Sequence, residues 1–475
     1  MLKNVNFGSL INGEWVESNK TIKVYNPYNN EILGNIFDVG ENGAEQAINS
    51  AYQAFKSWSQ KTSEERFRLL NNWFEMIMQN RKDISEIVTL ESGKPLKESE
   101  VEVEYGASFI KWFAEQAKRI DGSLLSSPDK KKKMLVLKQP IGVVSAITPW
   151  NFPVAMIARK ASAAIAAGCT VVLKPSELTP LSANKLGELS IKAGLPNGVF
   201  NIVNGMPEPI GRVLSTHQLV KKITFTGSTH VGKLLMSNAS KTIKGVSLEL
   251  GGNAPFIVFE DVDIEKAIQG LILSKFRNAG QTCISANRIF VQQNIHDEFT
   301  IKLKDTVSSL SVGSGLKNKD IGPLISEKAI EKVEMNINDA LENGAKLILG
   351  GKKHSEGKLF FEPTILTQVD ESMKIFNEEN FGPVIPIIGF NTDEELIKLA
   401  NNTNYGLAAY FYTNNSKRVW ELSEKLQFGM FGVNTGKIST YLNPFGGMKE
   451  SGIGREGSSS GLEPFLEKKF VSWEI

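Results

Sequence analysis

The chain has 475 residues, more than one compact core comfortably supports, so two or three lobes are expected. Apolar residues make up 41% and charged residues 22%, the balance of an ordinary globular protein rather than a disordered one. Lys plus Arg number 54 against 52 for Asp plus Glu; a formal charge of +2 offers no field to gather nucleic acid or acidic lipid.

The opening Met1-Leu2-Lys3-Asn4-Val5-Asn6 has no basic region followed by an apolar core, so no export signal is read there. Short strand-like runs follow, broken at Asn12-Gly13 and Asn26-Pro27. Thr62-Ser63-Glu64-Glu65 has the spacing of a capping box, and Phe67, Leu70, Trp73, Phe74 and Ile77 recur behind it at helical intervals. A second amphipathic stretch covers about 97–118. Residues 121–133 are polar and end in four lysines, a pattern read as a solvated hairpin tip rather than a nucleic-acid patch. The apolar strand Met134-Leu135-Val136-Leu137 comes next.

From residue 141 the pattern is regular. Strands are expected at 141–147, 169–173, 199–203 and 223–225, each followed by a helix, at 153–167, 180–193, near 210–214 and from Ser228 onward. Apolar strands without alternation imply a parallel sheet buried on both faces. Ligands of such sheets sit at the carboxyl ends of the strands, which directs attention to the loops 148–153, 174–180 and 226–232. The longest charge-free apolar stretch of note, 161–173, is shorter than the roughly 20 residues that cross a bilayer. A second α/β region covers about 255–431, with strands expected at 256–259, 288–292, 384–390 and 408–412. The tail, 469–475, looks like a strand seeking an edge, such as another subunit offers.

The two cysteines, Cys169 and Cys283, are too few for a disulfide scaffold or a cysteine zinc site and fit a reducing, cytoplasmic setting. Cys169 lies inside a strand and reads as an inert small hydrophobe. Cys283 lies in the polar loop Asn278-Ala279-Gly280-Gln281-Thr282-Cys283-Ile284-Ser285, where a substrate can reach it; a nucleophile and a second inert thiol both remain open. The four histidines, His217, His230, His296 and His354, have no metal-ligand spacing, so no metal is expected. Glu249 ends an apolar strand before Gly251-Gly252. Partial desolvation there raises its pKa and suits a general base, with a rim Glu capping a turn as the alternative. Gly227-Ser228-Thr229-His230-Val231-Gly232 follows a strand and opens a helix, a place where backbone receives a phosphate, with a plain tight turn as the alternative.

Seven motifs then occur in one order: Thr148-Pro149-Trp150-Asn151-Phe152-Pro153, Lys174-Pro175-Ser176-Glu177, Phe225-Thr226-Gly227-Ser228, Glu249-Leu250-Gly251-Gly252, Gly280-Gln281-Thr282-Cys283, Glu379-Asn380-Phe381-Gly382-Pro383 and Pro444-Phe445-Gly446-Gly447. From 249 to 283 is an interval of 34. On these motifs and that interval the chain resembles the aldehyde dehydrogenase superfamily over nearly its whole length. The resemblance implies an α/β fold with a doubly wound parallel-sheet NAD-binding domain (1–120 and 141–252), an α/β catalytic domain (253–450) and a small β oligomerisation element (121–140 and 451–475).

It also implies roles. Cys283 would attack an aldehyde carbon and carry a thiohemiacetal and then a thioester. The Asn151 side-chain amide and the Cys283 backbone N–H would receive the oxyanion. Glu249 would activate water, with Lys160 and Glu456 relaying its proton, or else forming an ordinary ion pair. Thr148, Pro149, Trp150, Ser176, Gly227, Ser228 and Gly232 would line the cofactor site, with Lys174 and Glu177 at the adenosine ribose and Glu379 and Phe381 at the nicotinamide ribose. A carboxylate at Glu177 accepts from ribose hydroxyls and repels a 2′-phosphate, so NAD is expected, with NADP as the alternative.

Arg159, Arg277 and Ser439 look like the residues that hold the distal carboxylate in succinate-semialdehyde dehydrogenases. Two guanidiniums at a pocket mouth ask for an anion, because their forks match carboxylates; structural ion pairs are the alternative. Adjacent helix residues point about 100° apart, so Arg159 is expected to face substrate while Lys160 faces the relay. Many close relatives carry a second cysteine two positions after the nucleophile; here that residue is Ser285, and a regulatory disulfide is not expected. The resulting expectation is a cytoplasmic homodimer or homotetramer that oxidises a small anionic aldehyde, succinate semialdehyde, with no nucleic-acid or membrane partner. Another aliphatic or amino aldehyde is the first alternative. A cysteine hydrolase or acyltransferase would leave the Gly227 loop and Glu177 without a task, and a non-catalytic protein would have no use for Asn151, Glu249 and Cys283 together.

Overall fold

The computed structural model describes residues 5–475; the first four residues of the opening read for an export signal lie outside them. Five parallel strands form the heart of one sheet, in the spatial order Phe200–Ile202, Thr170–Lys174, Val143–Ile147, Val220–Thr226, Gly245–Glu249. Counted along the chain this is 3-2-1-4-5, a doubly wound arrangement whose order reverses between Val143–Ile147 and Val220–Thr226. The absence of polar alternation has a direct cause. Val143, Val172 and Val220 enter a core under the helices Gly40–Trp58 and Pro207–Thr216. Their neighbours Val144, Ala146, Val171 and Leu173 enter the opposite core, under Pro153–Ala167, Ser63–Gln79 and Leu96–Gln116. Both faces are apolar because both are covered.

Antiparallel pieces close the two edges. At one, Ser9–Ile11 and Glu14–Val16 form a hairpin turned by Asn12 and Gly13, at φ 55° and 80°. At the other, Gly452–Ile453 pairs with Leu248 and Glu249, returning the late chain to the side of Glu249. The capping box forms as read: Glu65 N donates to Thr62 Oγ1 at 3.2 Å and Thr62 N to Glu65 Oε2 at 2.8 Å.

A second sheet of seven strands runs Lys346–Leu349, Thr364–Thr367, Val384–Phe390, Ala286–Gln292, Ala254–Val258, Ala408–Tyr412, Met430–Val433, parallel except at the first pair. The four strands expected from sequence are its buried middle. The three unread ones, four residues each, lie toward its two ends. A third, antiparallel sheet joins Ser123–Leu125, Lys132–Pro140 and Leu466–Glu474. The tail therefore finds its edge on its own chain, from Leu466 opposite Pro140 to Glu474 opposite Lys132. Lys132 and Lys133 belong to that strand and not to the tip. Among the described residues no helix is long and apolar enough to cross a membrane.

Candidate active site

Three loops meet around Cys283. The first follows Val143–Ile147 and carries Asn151; the second precedes Ala286–Gln292 and carries Cys283; the third, 378–383, carries Glu379 and Phe381. Glycine permits the meeting. A Cβ on Gly252 would stand 2.1 Å from the Cys283 carbonyl oxygen, and one on Gly280 would stand 2.2 Å from that of Gly382. Gly280 is also left-handed, at φ 81°, and ends a run in which Asn278 and Ala279 share that conformation at φ 51° and 56°. An ordinary side chain pays about 1–2 kcal/mol for such a backbone, so the turn that delivers Cys283 is a stored strain.

Cys283 is half-buried and free. Burial, reinforced by the Glu379 carboxylate, pushes its thiol up to about 12, so it rests protonated and must lose its proton to react. Asn151 is buried, and its Nδ2 donates one hydrogen to the Gln281 carbonyl at 3.1 Å, on the Cys283 loop. The second hydrogen on that nitrogen is free for an oxyanion. Glu249 ends its strand at 2% exposure, with Oε2 buried and unpartnered. Burial, then the neighbouring Glu456 charge, holds its carboxyl well above the ordinary range, against the pull of Arg159, Lys160 and Arg455.

Glu456 behaves in the opposite way. Burial disfavours its charge, yet Lys160 and Arg159 outweigh burial and hold it below the usual carboxylate range. Lys160 Nζ lies 2.5 Å from Glu456 Oε1, Arg159 Nε lies 2.6 Å from Oε2, and Thr224 Oγ1 donates to Oε1 at 3.2 Å. Arg159 and Lys160 thus meet on one carboxylate, Arg159 through Nε and Lys160 through Nζ. Arg159 still has Nη1 buried without a partner, and its guanidinium lies 4.1 Å from the Phe445 ring.

Arg277 stands over Phe152 at 4.8 Å, and Ser439 is buried nearby. One residue of this group escaped sequence reasoning. Tyr105, on the helix Leu96–Gln116, has its hydroxyl buried without a hydrogen-bond partner, facing Arg159, Arg277 and Ser439. The available signal was a tyrosine on the apolar stripe of an amphipathic helix, whose O–H needs something polar.

Thr148 Oγ1 and Thr226 Oγ1 are buried and unpartnered at the carboxyl ends of the two strands that flank the reversal of strand order. A dinucleotide laid over that point would supply what they lack. Lys174 Nζ lies 2.9 Å from Glu177 Oε2, and Glu379 Oε1 accepts Gly252 N at 2.9 Å. Trp150 and Phe381 meet edge to face at 5.7 Å as a wall beside Pro149. Ser228 Oγ accepts Val231 N at 3.3 Å and caps the helix Thr229–Ser240. Gly232 sits in that helix against Leu250, and Ser176 Oγ accepts Leu178 N at 3.2 Å within its own turn. The residues present fit a nicotinamide dinucleotide.

Comparison with known proteins agrees with this geometry. Residues 15–471 match the aldehyde dehydrogenase family. A succinate-semialdehyde dehydrogenase [NADP(+)] of Escherichia coli K12 is 51% identical over 466 residues, covering 98% of this chain and 97% of that one. A 3-sulfolactaldehyde dehydrogenase of Pseudomonas putida is 50% identical over 98% of this chain and 96% of its own. A crystal structure of an E. coli NADP-dependent enzyme superposes with a TM-score of 0.99 at 49% identity, covering all of both chains.

Proposed function

The chain belongs to the aldehyde dehydrogenase family, and from that premise we propose that the aldehyde it oxidises is succinate semialdehyde. It is an NAD(P)-dependent oxidoreductase that converts an aldehyde to a carboxylic acid. The observation that carries the substrate is the set of unmet polar groups around the thiol: Arg159 Nη1 and the Tyr105 hydroxyl, buried and unpartnered, with Arg277 and Ser439 beside them. Both arginines lie close enough to Cys283 to favour its thiolate. A carboxylate a few bonds from the aldehyde carbon satisfies these donors and leaves that carbon at the sulfur. An ammonium in the same place meets two cations, which disfavours amino aldehydes.

Cys283 Sγ bonds to the aldehyde carbon as its proton passes to Glu249. The carbonyl oxygen becomes an oxyanion, received by the Asn151 amide and the Cys283 backbone N–H; such a donor contributes about 3–4 kcal/mol. A nicotinamide dinucleotide, when bound against Trp150, Glu379 and Phe381, supplies the acceptor for the hydride that the thiohemiacetal carbon must lose. Once Glu249 has passed the thiol's proton outward it is a carboxylate again; it then takes a proton from water, the hydroxide adds to the thioester carbon, and Cys283 leaves and receives that second proton from Glu249. Lys160 and Glu456 give the proton first taken from the thiol its route away from Glu249.

The carboxylate at Glu177 supports NAD over NADP. Its single 2.9 Å contact with Lys174 and its partial exposure leave it able to turn aside, which suits a family with NADP-named members. The three-stranded sheet supports a homodimer or homotetramer, because its two edge strands leave Leu124 72%, Phe470 55% and Trp473 61% exposed. A thiol that must stay free suits a reducing compartment, the cytoplasm.

A panel of succinate semialdehyde, its one-carbon-longer homologue, 3-sulfolactaldehyde, propanal and an amino aldehyde, each with NAD and with NADP, tests the reading. Succinate semialdehyde is expected to give the highest kcat/KM. Equal values for propanal dispose of the anion pocket, and the absence of reduced cofactor favours a hydrolase.

A further inference from the structure

The oxyanion donor stands on a loop whose backbone is held from below by a wholly buried amine. Lys94 Nζ donates to the Asn151 carbonyl oxygen at 2.5 Å and to Glu102 Oε2 at 2.5 Å, and lies 4.1 Å from the centre of the Phe152 ring. Neither side chain of the pair meets solvent. Glu102 gives its other oxygen to the next helix, accepting Val154 N at 2.9 Å and Ala155 N at 3.3 Å. It does the work of an N-cap from a distance, since Phe152 at the cap position has no side-chain acceptor. Asn278 Nδ2, from the Cys283 loop, reaches the same Asn151 carbonyl at 3.2 Å.

Burying an ammonium and a carboxylate is costly before their attraction is counted, and an apolar pair of like shape often stabilises a fold as well. Stability alone therefore gives this pair no purpose. What an apolar pair does not do is tie the Asn151 carbonyl, the Phe152 ring and the first turn of Pro153–Ala167 to one point. An oxyanion donor needs that: its amide acts only when held close to the position the developing charge will occupy.

We propose that Lys94 is a positioning residue for the oxyanion donor. Through the Asn151 carbonyl it sets the Asn151 side-chain amide relative to Cys283, and Glu102 holds Lys94 in place. This rests on the reading of Asn151 as the donor, and the two fail separately in the following experiment.

Lys94→Met is made in the full-length enzyme, alone and in an Asn151→Ala background. Asn151→Ala by itself tests the donor, and a loss of kcat smaller than about tenfold removes that reading. If Lys94 acts through Asn151, Lys94→Met lowers kcat by about tenfold or more in the parent but by less than about threefold once residue 151 is Ala. Alkylation of Cys283 by iodoacetamide builds no oxyanion and stays within about twofold of the parent rate. Equal losses in both backgrounds, or alkylation slowing in step with turnover, overturn the proposal. Should Lys94→Met not fold, Lys94→Met/Glu102→Gln removes both charges together and carries the same cycle. A double variant that also fails to fold assigns the pair to the fold and overturns it equally.

Discussion

Arg159 Nε lies 2.6 Å from a carboxylate oxygen of Glu456, a buried pair that joins the helix Pro153–Ala167 to the late chain. The residue proposed to anchor substrate thus also braces the carboxylate whose charge bears most on Glu249, after burial itself. Arg277 has a different attachment, over the Phe152 ring.

The two arginines should therefore fail differently. Arg277→Ala is expected to raise KM for succinate semialdehyde with kcat kept, lowering kcat/KM about 10- to 100-fold, the worth of a charge-assisted hydrogen bond. Propanal kinetics should not change. Arg159→Ala should lower kcat for both aldehydes, because it leaves Glu456 short of a partner. Initial rates with the two substrates decide, and identical behaviour of the two variants would remove the division of labour.

Tyr105→Phe isolates one hydroxyl. The parent hydroxyl is buried and unpartnered, so its removal should leave thermal stability unchanged or slightly raised. If it serves the substrate carboxylate, kcat/KM for succinate semialdehyde falls by about 2- to 10-fold, while propanal is untouched. A loss shared by both aldehydes would make Tyr105 a packing residue.

Much of this was legible beforehand, and the reasons are local. Asn151 sits in a loop at the carboxyl end of a strand, where the doubly wound pattern says ligands bind, while Glu249 at a strand end before two glycines and Cys283 in a polar loop were legible from their immediate neighbours. Arg159 and Lys160 were legible as residues but not as partners. A 100° rotation on a helix separates two side chains only if nothing between them attracts both, and Glu456 arrives from 296 residues later. Lys94 and Glu102 were unreadable for a related reason: a buried ion pair carries the same letters as a solvated face, and helix periodicity does not count burial.

The pH dependence of deacylation follows from the same cluster. Glu249 acts as a carboxylate, and its pKa is held well above the ordinary range by burial and then by Glu456. Turnover limited by this step should rise with pH through that raised value and level off above it. Lys160 favours the Glu249 carboxylate, so Lys160→Met should move the rising limb to higher pH. Glu456 opposes it, so Glu456→Gln should move the limb to lower pH. The test is kcat against pH for both variants. A drop in rate with neither limb displaced would mean that Glu249 is not the titrating base.

Oxidation offers an independent check on the thiol. Cys169 is wholly buried, its thiol donates to the Phe465 carbonyl at 3.3 Å, and burial pushes it up to about 11. Position 285 is a serine, itself buried. Peroxide should therefore act on Cys283 alone, adding oxygen without forming a disulfide. With the Cys283 thiol pushed up to about 12, the reactive thiolate is a small fraction near neutrality and grows with pH, so inactivation should accelerate steadily from pH 7 to 9. Mass spectrometry of peptides from the treated enzyme reads the product directly: a gain of oxygen atoms on the Cys283 peptide is expected. Loss of two hydrogens with Cys169 and Cys283 joined would require the strand at Thr170–Lys174 to open, and would show that the resting thiol is not confined to the cleft.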